Sequence, residues 1–501
     1  MLTVNPCRWR GSAQMVFSIT LPLAMAALHG TAHAALVVSN KGTENVNCSA
    51  GVCMGTARKA TLNINELAEM LAGGNVTLVS GHAAKDIVIK AALNWTASTN
   101  LTFDSYRSIT FERPVVVAGP GGLTIATNDG GADGDYQFVK RGHIEFWDTT
   151  SSLIINGNAY TLAKSIRQIR TASNDASPYI ALSRNINAGR RTYTTAPIPE
   201  FRSTLEGLGN SISNLTIDDT QDRDSIGLIG MLTQTGQVQA VVRDIGIVLA
   251  NVKGEGREQS IGVLVGQSSG KKITNSYTTG VATATNSATS IGGLVGDNAD
   301  ANVSKSHAEV TVSGTAGALQ VGGLIGSVEG TCSGGCVGFV DQTYSTGAVS
   351  AGDETYAGGL IGSNSAGTIT NSYATGSVTT GASAFAGGLL GINANGAGSD
   401  VPTIAASYSV GAVTGGSDTL VGGLIGKDSA TLSVTNSYWD LDTSNVNDPS
   451  RGAGNVSNDP GITGLTTEQF QSSLPSGFAA SIWQEALGVN GGYPYLIAQS
   501  P

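Results

Sequence analysis

The chain is poor in charged and aromatic residues. Of its 501 residues, 13% are Asp, Glu, Lys or Arg and 6% are Phe, Trp or Tyr, whereas ordinary soluble domains carry about 25% charged residues. Disordered chains combine high net charge with few apolar residues, but 40% of this chain is hydrophobic, which argues against disorder. The formal net charge of −10 argues against nucleic acid as a partner.

Long hydrophobic runs are also scarce. The run Met15–Leu28 is about 14 residues long, too short for the ~20 residues of a membrane-spanning helix. Arg8 and Arg10 precede it and Ala32-His33-Ala34 follows it, which predicts a secretory signal peptide over residues 1–34. A membrane anchor is the alternative. We therefore expect an exported protein without a transmembrane segment in the mature chain, and a periplasmic one if no outer-membrane exporter exists.

Cysteine and histidine are too sparse for a metal site. Four cysteines follow the predicted cleavage point, in two close pairs, Cys48 with Cys53 and Cys332 with Cys336. In an exported protein these pairs predict two local disulfides. Zinc is the alternative, but neither pair has a histidine nearby and the pairs are far apart in sequence. His82, His143 and His307 show no metal-ligand spacing, so no metal or cofactor is predicted.

What the chain does have is a repeated glycine-flanked apolar phrase. Six copies start at intervals of 30, 30, 36, 29 and 35 residues: Ile261–Gly266, Ile291–Gly296, Val321–Gly326, Ala357–Gly362, Ala386–Gly391 and Val421–Gly426. A related phrase, Ile226–Gly230, precedes them. A period in this range is typical of stacked supersecondary units, so the fold class predicted is an all-β, right-handed parallel β-helix with short capping helices.

Two side-chain columns are predicted along this helix. The leucine of each phrase should point inward and stack on its neighbours, at Leu264, Leu294, Leu324, Leu360, Leu389 and Leu424. A second phrase, Thr-Asn-Ser-Tyr in its fullest form, follows each copy and should stack Tyr277, Tyr344, Tyr373, Tyr408 and Tyr438, with His307 in place of one tyrosine. Asn275, Asn371 and Asn436 are expected to form a partial hydrogen-bonded ladder.

The paired phrases resemble the GLUG repeat of bacterial surface and secreted proteins of the filamentous-haemagglutinin-like family. The resemblance covers residues 226–445. It implies an adhesin-like role on a cell or biofilm surface, whereas the residues themselves indicate only an exported β-solenoid. We find no Asn-Pro-Asn motif of the kind that marks the secretion domain of such proteins, so the resemblance does not indicate the export route.

The chain outside the repeats divides into two further parts. Residues 35–225 are predicted to form an N-terminal cap and β-helix coils, with helices near residues 65–72 and 162–170 and with strands of period-2 alternation between them. Asn65 is the predicted cap of the first helix. Residues 446–501 are predicted to be a linker and an aromatic cap that plugs the last coil.

Candidate chemistry is confined to three places. Asn128–Asp135 has the look of a calcium turn, but it occurs once and an exposed loop is the preferred interpretation. Asp440-Leu-Asp442 lacks the remaining residues of a calcium loop and is interpreted as a turn. Asp104, Arg107, Glu112 and Arg113 are charged residues of the 100–225 region, where a β-helix polysaccharide lyase or hydrolase would have its site.

No catalytic constellation can be named among these residues, so we expect a protein that is not an enzyme. The predicted function is binding of glycans, or of host or biofilm surfaces, by the Thr-, Ser- and Asn-rich sheet faces and their loops. The alternatives are a polysaccharide-degrading enzyme of the kind just described and a purely structural matrix protein.

Overall fold

The computed structural model describes residues 34–131, 133–234, 240–270, 272–314, 319–329, 338–396, 401–430 and 432–499. Residues 1–33 of the predicted signal peptide therefore lie outside the described residues. Almost all strand pairs in the described part are parallel, and successive strands of one sheet are separated by one coil of chain. This arrangement confirms the predicted all-β parallel β-helix. Within the same ranges, no helix is long and apolar enough to cross a membrane.

The first coils are built from three sheets. Sheet 1 contains Lys59–Asn63, Ala35–Ser39, Asp86–Ile89, Ile109–Phe111 and Tyr136–Phe138 in spatial order. Sheet 2 contains Leu93–Trp95, Val115–Val117 and Ile144–Phe146. Sheet 3 contains Val46–Ser49, Val52–Gly55, Val76–Val79, Asn100–Asp104, Gly122–Ala126, Leu153–Ile155 and Asn158–Ala159. The alternating apolar residues of these strands point inward and form one continuous buried core.

The repeats continue the helix with four sheets. Sheet 4 contains Ser225–Ile226, Ser260–Gly262, Ser290–Gly292, Gln320–Gly322, Tyr356–Gly358, Phe385–Gly387 and Leu420–Gly422. Sheet 5 contains Ile198–Phe201, Ile229–Thr233, Val265–Ser269, Val295–Asn298, Ile325–Glu329, Ile361–Ser365, Leu390–Ala394 and Ile425–Asp428. Sheet 6 contains Thr161–Ala163, Tyr179–Leu182, Thr204–Glu206, Val241–Arg243, Lys272–Thr274, Asn302–Ser304, Phe339–Asp341, Thr368–Thr370, Thr403–Ala405 and Val434–Thr435.

Sheet 7 completes each repeat coil. Its main row contains Ile186–Asn187, Ser211–Ser213, Gly246–Gly254, Tyr277–Ala284, His307–Gly314, Tyr344–Ser345, Tyr373–Ala374, Tyr408–Ser409, Ser437–Asp440 and Ile462–Leu465. Thr192–Tyr193, Thr216–Asp219, Val349–Ala351, Val378–Thr379 and Val413–Thr414 extend it sideways. A separate antiparallel pair joins Trp483–Gln484 to Tyr495–Leu496.

Four short α-helices lie in the described ranges: α1 Ile64–Gly73, α2 Gly81–Ala84, α3 Ile166–Asn174 and α4 Thr467–Phe470. Single turns of 3-10 helix cover Asn490–Gly492 and Ile497–Gln499. The cap of α1 is Asn63, whose side chain accepts from the Asn65 backbone N–H, so the prediction that Asn65 itself is the cap was wrong. α1 packs against Leu93–Trp95, at the first strand of sheet 2, where it covers the end of the stack.

The glycine-flanked phrase forms the corner between sheets 4 and 5. Its leucines Leu264, Leu294, Leu324, Leu360, Leu389 and Leu424 are all 0% exposed. Their backbones also stack, because the N–H of Leu324 donates to the carbonyl of Leu360 at 2.8 Å and that of Leu360 to Leu389 at 2.9 Å. A Cβ on Gly323 would lie 2.0 Å from the carbonyl oxygen of Gly359. The next coil therefore approaches too closely for a side chain at Gly323, although the first copy of the phrase carries Val263 at the equivalent position.

The C-terminal end of the helix is closed by two features. Trp439 is fully buried, lies where a Cβ on Gly423 would be, and donates from Nε1 to the Val446 carbonyl at 2.9 Å. Residues 451–465 add a further partial coil, in which the carbonyl of Gly452 accepts from Leu424 and Ile462–Leu465 pairs with Ser437–Asp440. The linker predicted at the start of residues 446–501 is therefore in part a further coil.

Candidate functional site

The tyrosines of the second phrase form one outward-facing column on sheet 7. The strand register places Tyr277, His307, Tyr344, Tyr373, Tyr408 and Tyr438 opposite one another. The first five rings stack with centroids 5.3, 4.4, 4.9 and 5.0 Å apart and with planes within 10° of parallel. We call this column the aromatic ladder.

The Asn-Ser turn before each tyrosine sets the direction of the ladder. Asn275, Asn371 and Asn436 adopt left-handed φ values of 48°, 46° and 44°, a conformation that asparagine tolerates well. The serine that follows turns inward, as when Ser372 Oγ donates to the Thr370 carbonyl at 2.7 Å. The tyrosine then points outward, because side chains alternate along a strand.

The expected asparagine ladder does not form between these residues. Asn275 Nδ2 donates to Asp244 Oδ1 at 3.1 Å, and Asn371 Nδ2 donates to Asp341 Oδ1 at 2.8 Å. Neighbouring coils carry Lys305, Gln342 and Ala406 at the same turn, which interrupts any row of amides. A shorter ladder exists inside the helix instead, where Asn364 Nδ2 donates to Asn393 Oδ1 at 3.1 Å and Asn393 Nδ2 to Asp428 Oδ1 at 3.2 Å.

Residues 466–499, which we call the C-terminal segment, cover part of the aromatic ladder from outside. Tyr408 donates from its hydroxyl to the Pro494 carbonyl at 2.5 Å, and Tyr438 donates to the Ser476 carbonyl at 2.8 Å. Phe470, Phe478 and Trp483 pack against the same tyrosines. The segment therefore lies along the side of the helix, where the ladder offers it an apolar surface. The prediction that it plugs the last coil was wrong.

Asp440 anchors the start of this segment. It is 0% exposed, and its Oδ2 accepts from Thr467 Oγ1 and from the Tyr493 hydroxyl, both at 2.7 Å. Its Oδ1 accepts from the backbone N–H of Asp442 at 2.7 Å and of Thr443 at 3.2 Å. The Asp440-Leu-Asp442 turn is thus held by hydrogen bonds to protein donors, in a structural role.

The segment ends beside a groove of about 630 Å³. One wall is the strand Tyr136–Phe138 with the residues around it, and the floor is the ladder from Tyr277 to Tyr344. Lys305, Glu309 and Gln499 also line it. We call this the junction groove, because it lies where the first coils meet the repeats.

A buried ion cluster holds that junction together. Arg243 Nε lies 2.6 Å from Asp244 Oδ2 and 3.3 Å from Glu206 Oε2, and its Nη2 lies 3.2 Å from Asp135 Oδ2. The guanidinium also stacks 4.1 Å from the centre of the Tyr136 ring. Tyr136 and Asp135 belong to the first coils and the other three residues to the repeat side, so one arginine links the two parts.

Burial sets the protonation of this cluster. It raises the pKa of Glu206 to about 8, an effect that Asp244 reinforces and Arg243 opposes. Tyr136 donates to Glu206 Oε2 at 2.5 Å and the backbone N–H of Leu208 donates to Oε1 at 2.7 Å, so the carboxyl group is fully hydrogen-bonded. The cluster is a structural joint, and its polar groups are already occupied.

The two ladder tyrosines at the groove are different, because their hydroxyls are not occupied by protein acceptors. Within the described residues, neither the Tyr277 nor the Tyr344 hydroxyl donates a hydrogen bond to protein. Burial, followed by the charge of Glu309, raises the pKa of both phenols. Burial lowers the pKa of His307 to about 4, so its ring is neutral near pH 7, with Nδ1 3.2 Å from Gln499 Oε1. The groove thus presents neutral hydrogen-bonding groups beside the exposed carboxylates of Asp133, Asp135 and Glu309.

The charged residues singled out between residues 100 and 225 do not form a site. Arg107 Nε pairs with Asp86 Oδ1 at 2.8 Å, Glu112 pairs with Lys140 at 2.5 Å, and Arg113 donates to the Glu112 carbonyl. Asp104 lies near Asp129, and burial together with that neighbour raises the pKa of Asp104 to about 6. These residues are therefore divided among separate local contacts and do not converge on one another.

The Asn128–Asp135 loop is held by protein groups. Asn128 Oδ1 accepts from the Gly134 N–H at 3.2 Å, and Asp135 is paired with Arg243. In the described ranges, no group of three or more His, Cys, Asp or Glu side chains is arranged to hold a metal ion.

One of the two predicted disulfides is present. Cys48 and Cys53 are bonded across the hairpin of Val46–Ser49 and Val52–Gly55, which confirms that pairing. Cys332 and Cys336 lie outside the described residues, so the second predicted disulfide stays a prediction.

A match to a known family model agrees with the repeat pattern. The family model of the GLUG motif matches residues 353–379, a stretch that contains both the Ala357–Gly362 and the Thr370–Gly376 phrases. The chain therefore carries a GLUG motif within a parallel β-helix. No curated protein matches the chain significantly. The crystal structure of a "putative immunoglobulin A1 protease" from Bacteroides ovatus is similar over 68% of this chain and 92% of that chain, at 17% identity and a TM-score of 0.41.

Sequence reasoning placed the aromatic ladder but missed the junction groove. Arg243, Glu206 and Tyr136 are far apart in the chain and belong to no repeated phrase. The one available signal was His307, the copy in which the ladder tyrosine is replaced. Glu309 carries no signal of its own, because a charged residue on an outward strand position is ordinary in a soluble β-protein.

Proposed function

We propose that this protein is exported and acts outside the cytoplasm as an adhesin-like, non-catalytic binder of glycans on a cell or biofilm surface. The GLUG motif and the parallel β-helix support an extracellular protein. The Cys48–Cys53 disulfide supports an oxidising compartment, since cytosolic proteins rarely keep such bonds. The predicted signal peptide of residues 1–34 supports export.

The observation that carries glycan binding is the open part of the aromatic ladder. Tyr277, His307 and Tyr344 line a groove of about 630 Å³ together with Lys305 and Glu309. A concave site lined by rings and a few polar groups is the usual form of a small-ligand site. Hydroxyl and carboxylate groups suit a ligand rich in hydroxyls, and a sugar supplies both donors and acceptors at close spacing.

The outer face of sheet 6 supplies a second, more extended polar surface. Ser304, Asp341 and Thr370 are partly exposed on successive coils of this sheet, and Thr370 Oγ1 donates to Asp341 Oδ1 at 2.7 Å. Such regular polar rows suit weak, repeated contacts with a polymer, in which many sites act together. A purely structural role in a matrix would use the same surface without a specific ligand.

The test uses purified residues 35–501 and a panel of immobilised polysaccharides, with protein retention and the release of reducing or unsaturated ends followed in parallel. Retention without product is the expected result. Product release would show that the protein is an enzyme and would overturn the non-catalytic proposal. Absence of retention on every polysaccharide would leave the matrix role as the better account.

Export is tested separately by expressing the full chain and a chain without residues 1–34, and by fractionating the cells. We expect the full chain outside the cytoplasm and the shortened chain inside. Equal distribution of the two would overturn the signal-peptide assignment.

A further inference from the structure

The same ladder carries hydroxyls that donate to protein and hydroxyls that do not. Under the C-terminal segment, Tyr408 and Tyr438 donate to backbone carbonyls at 2.5 and 2.8 Å, whereas the Tyr373 hydroxyl, beside Trp483, donates to no described group. In the junction groove, the Tyr277 and Tyr344 hydroxyls donate to no described protein group, although both rings are largely buried. A ligand that binds there must supply acceptors to these hydroxyls, as the segment does further along the ladder.

The charges of the groove decide between acidic and neutral ligands. Its lining contains four carboxylates, Asp133, Asp135, Asp244 and Glu309, against the two lysines Lys140 and Lys305. Lys140 is already paired with Glu112 at 2.5 Å. Arg243, which lies behind the lining, is surrounded by Asp135, Glu206 and Asp244. The groove therefore has no excess of positive charge, and like-charge repulsion disfavours an acidic polymer.

The geometry of the floor sets the length and direction of the ligand. Tyr277, His307 and Tyr344 lie on three successive coils, with ring centroids 5.3 and 4.4 Å apart. This repeat is similar to the length of one sugar ring in an extended chain. Gln499 lies over part of this floor, because its Oε1 is 3.2 Å from His307 Nδ1 and its side chain donates to the Gln342 carbonyl. A ligand along all three coils would therefore span about three sugars, one on each coil, and would displace the contact between Gln499 and His307.

Glu309 lies beside this floor. It is on the strand His307–Gly314, two residues after His307, so both side chains point outward from the same face. It is exposed and has no ion-pair partner among the described residues. A carboxylate can accept two hydrogen bonds from adjacent sugar hydroxyls, and such charge-assisted bonds are stronger than neutral ones.

We propose that the junction groove binds a neutral oligosaccharide of about three sugars, laid parallel to the helix axis along Tyr277, His307 and Tyr344, with Glu309 as the residue that selects neutral over acidic sugars. This inference rests on the proposed function and names the site and the ligand class. An extended peptide is the competing occupant. Peptide binding is disfavoured, because the floor offers polar ring edges and lacks an apolar pocket for an anchoring side chain.

The experiment is a calorimetric titration of residues 35–501 with three probes: linear neutral hexose oligomers of two to six sugars, the corresponding oligouronates, and a capped extended peptide. The wild-type protein should bind the neutral series, with affinity that rises to about three sugars and then levels off. Glu309→Gln should weaken that binding about tenfold, and Tyr277→Phe with Tyr344→Phe should have an effect of similar size.

Tyr356→Phe is the matched control. Tyr356 stacks on Phe385 with centroids 5.1 Å apart on sheet 4, outside the groove, and its hydroxyl donates to no described group. Its removal should leave the affinity unchanged. Thermal unfolding of each variant checks that the fold is kept. The dependence of wild-type affinity on oligomer length is a test that needs no variant.

The possible results separate the two proposals. Tighter binding of oligouronates or of the peptide would overturn the neutral-sugar inference, as would neutral binding that the groove variants leave unchanged; the latter would still support a glycan-binding protein. If no sugar binds in solution and no polysaccharide retains the protein, both the inference and the proposed function fail.

Discussion

The ring of His307 lies parallel to that of Tyr344, with centroids 4.4 Å apart and planes 5° apart. His307 is the one ladder position in this row that is not tyrosine, yet its ring keeps the stacking of the others. Because the imidazole is buried among rings and faces Gln499, its neutral form is the one that fits. Protonation would place a charge in the ladder beside Tyr277 and Tyr344, with Glu309 and Lys305 as the charged groups at its edge.

Acid should therefore destabilise the protein through His307. Its pKa is lowered from 6.5 to about 4 on folding, so the unfolded chain binds the proton more readily. The contribution of this residue to stability is fully present above pH 6.5 and is lost as the pH falls from 6.5 to 4. The free energy of unfolding, measured in urea across this range, should fall less steeply in His307→Phe. Identical slopes for the two proteins would show that His307 is not buried as the structure has it.

Leu360→Asp should unfold the repeat array. Leu360 is 0% exposed and lies between Leu324 and Leu389 in the inner column. A buried carboxylate without a partner costs several kcal/mol, a large part of the stability of an ordinary domain. Circular dichroism should show loss of the β-signal or a sharply lower melting temperature. Leu432→Asp, at a leucine that is 76% exposed in the same array, is the control and should melt like the wild type.

Arg243→Met should loosen the joint between the first coils and the repeats. It leaves Glu206 and Asp244 buried without their counter-ion, at a cost of about 3–5 kcal/mol. The variant should lose more of its free energy of unfolding at pH 8 than at pH 5, because the carboxyl groups of Glu206 and Asp244 can take up protons at the lower pH. Urea unfolding at both pH values measures this. Arg202→Met removes an exposed arginine paired with exposed Glu200 and should cost at most about 1 kcal/mol; an equal loss in the two variants would contradict the structural role of Arg243.

Asp440→Ala should detach the C-terminal segment while the repeats stay folded. The substitution removes the acceptor of Thr467 Oγ1 and of the Tyr493 hydroxyl, and leaves two backbone N–H groups without their partner. Limited proteolysis should then cut within residues 466–499, and a hydrophobic dye should bind the uncovered rings of Tyr408 and Phe470. Asp448→Ala, at an exposed aspartate, provides the comparison. Resistance of both variants to protease would mean that the apolar contacts hold the segment without Asp440.

The sequence by itself determined the coil and its inward and outward columns. The phrase that holds Leu360 and the phrase that holds Tyr373 recur at intervals of about 30 residues, and stacking is the arrangement that lets every copy bury its leucine. The Cys48–Cys53 bond could also be predicted from the sequence, because the two residues are only five positions apart in the chain. Features repeated along the chain, or close together in it, could be predicted because their geometry follows from local rules.

The tertiary structure alone decided what lies beside the ladder. Nothing in the sequence of residues 466–499 says whether their rings plug the last coil or lie along its side, and the apolar flank of Tyr408 and Tyr438 settled this. The junction groove likewise depends on Arg243 meeting Asp135, residues 108 positions apart. Such contacts join parts of the chain that share no period, so no local pattern encodes them, and they form only when the stacked coils bring those parts together.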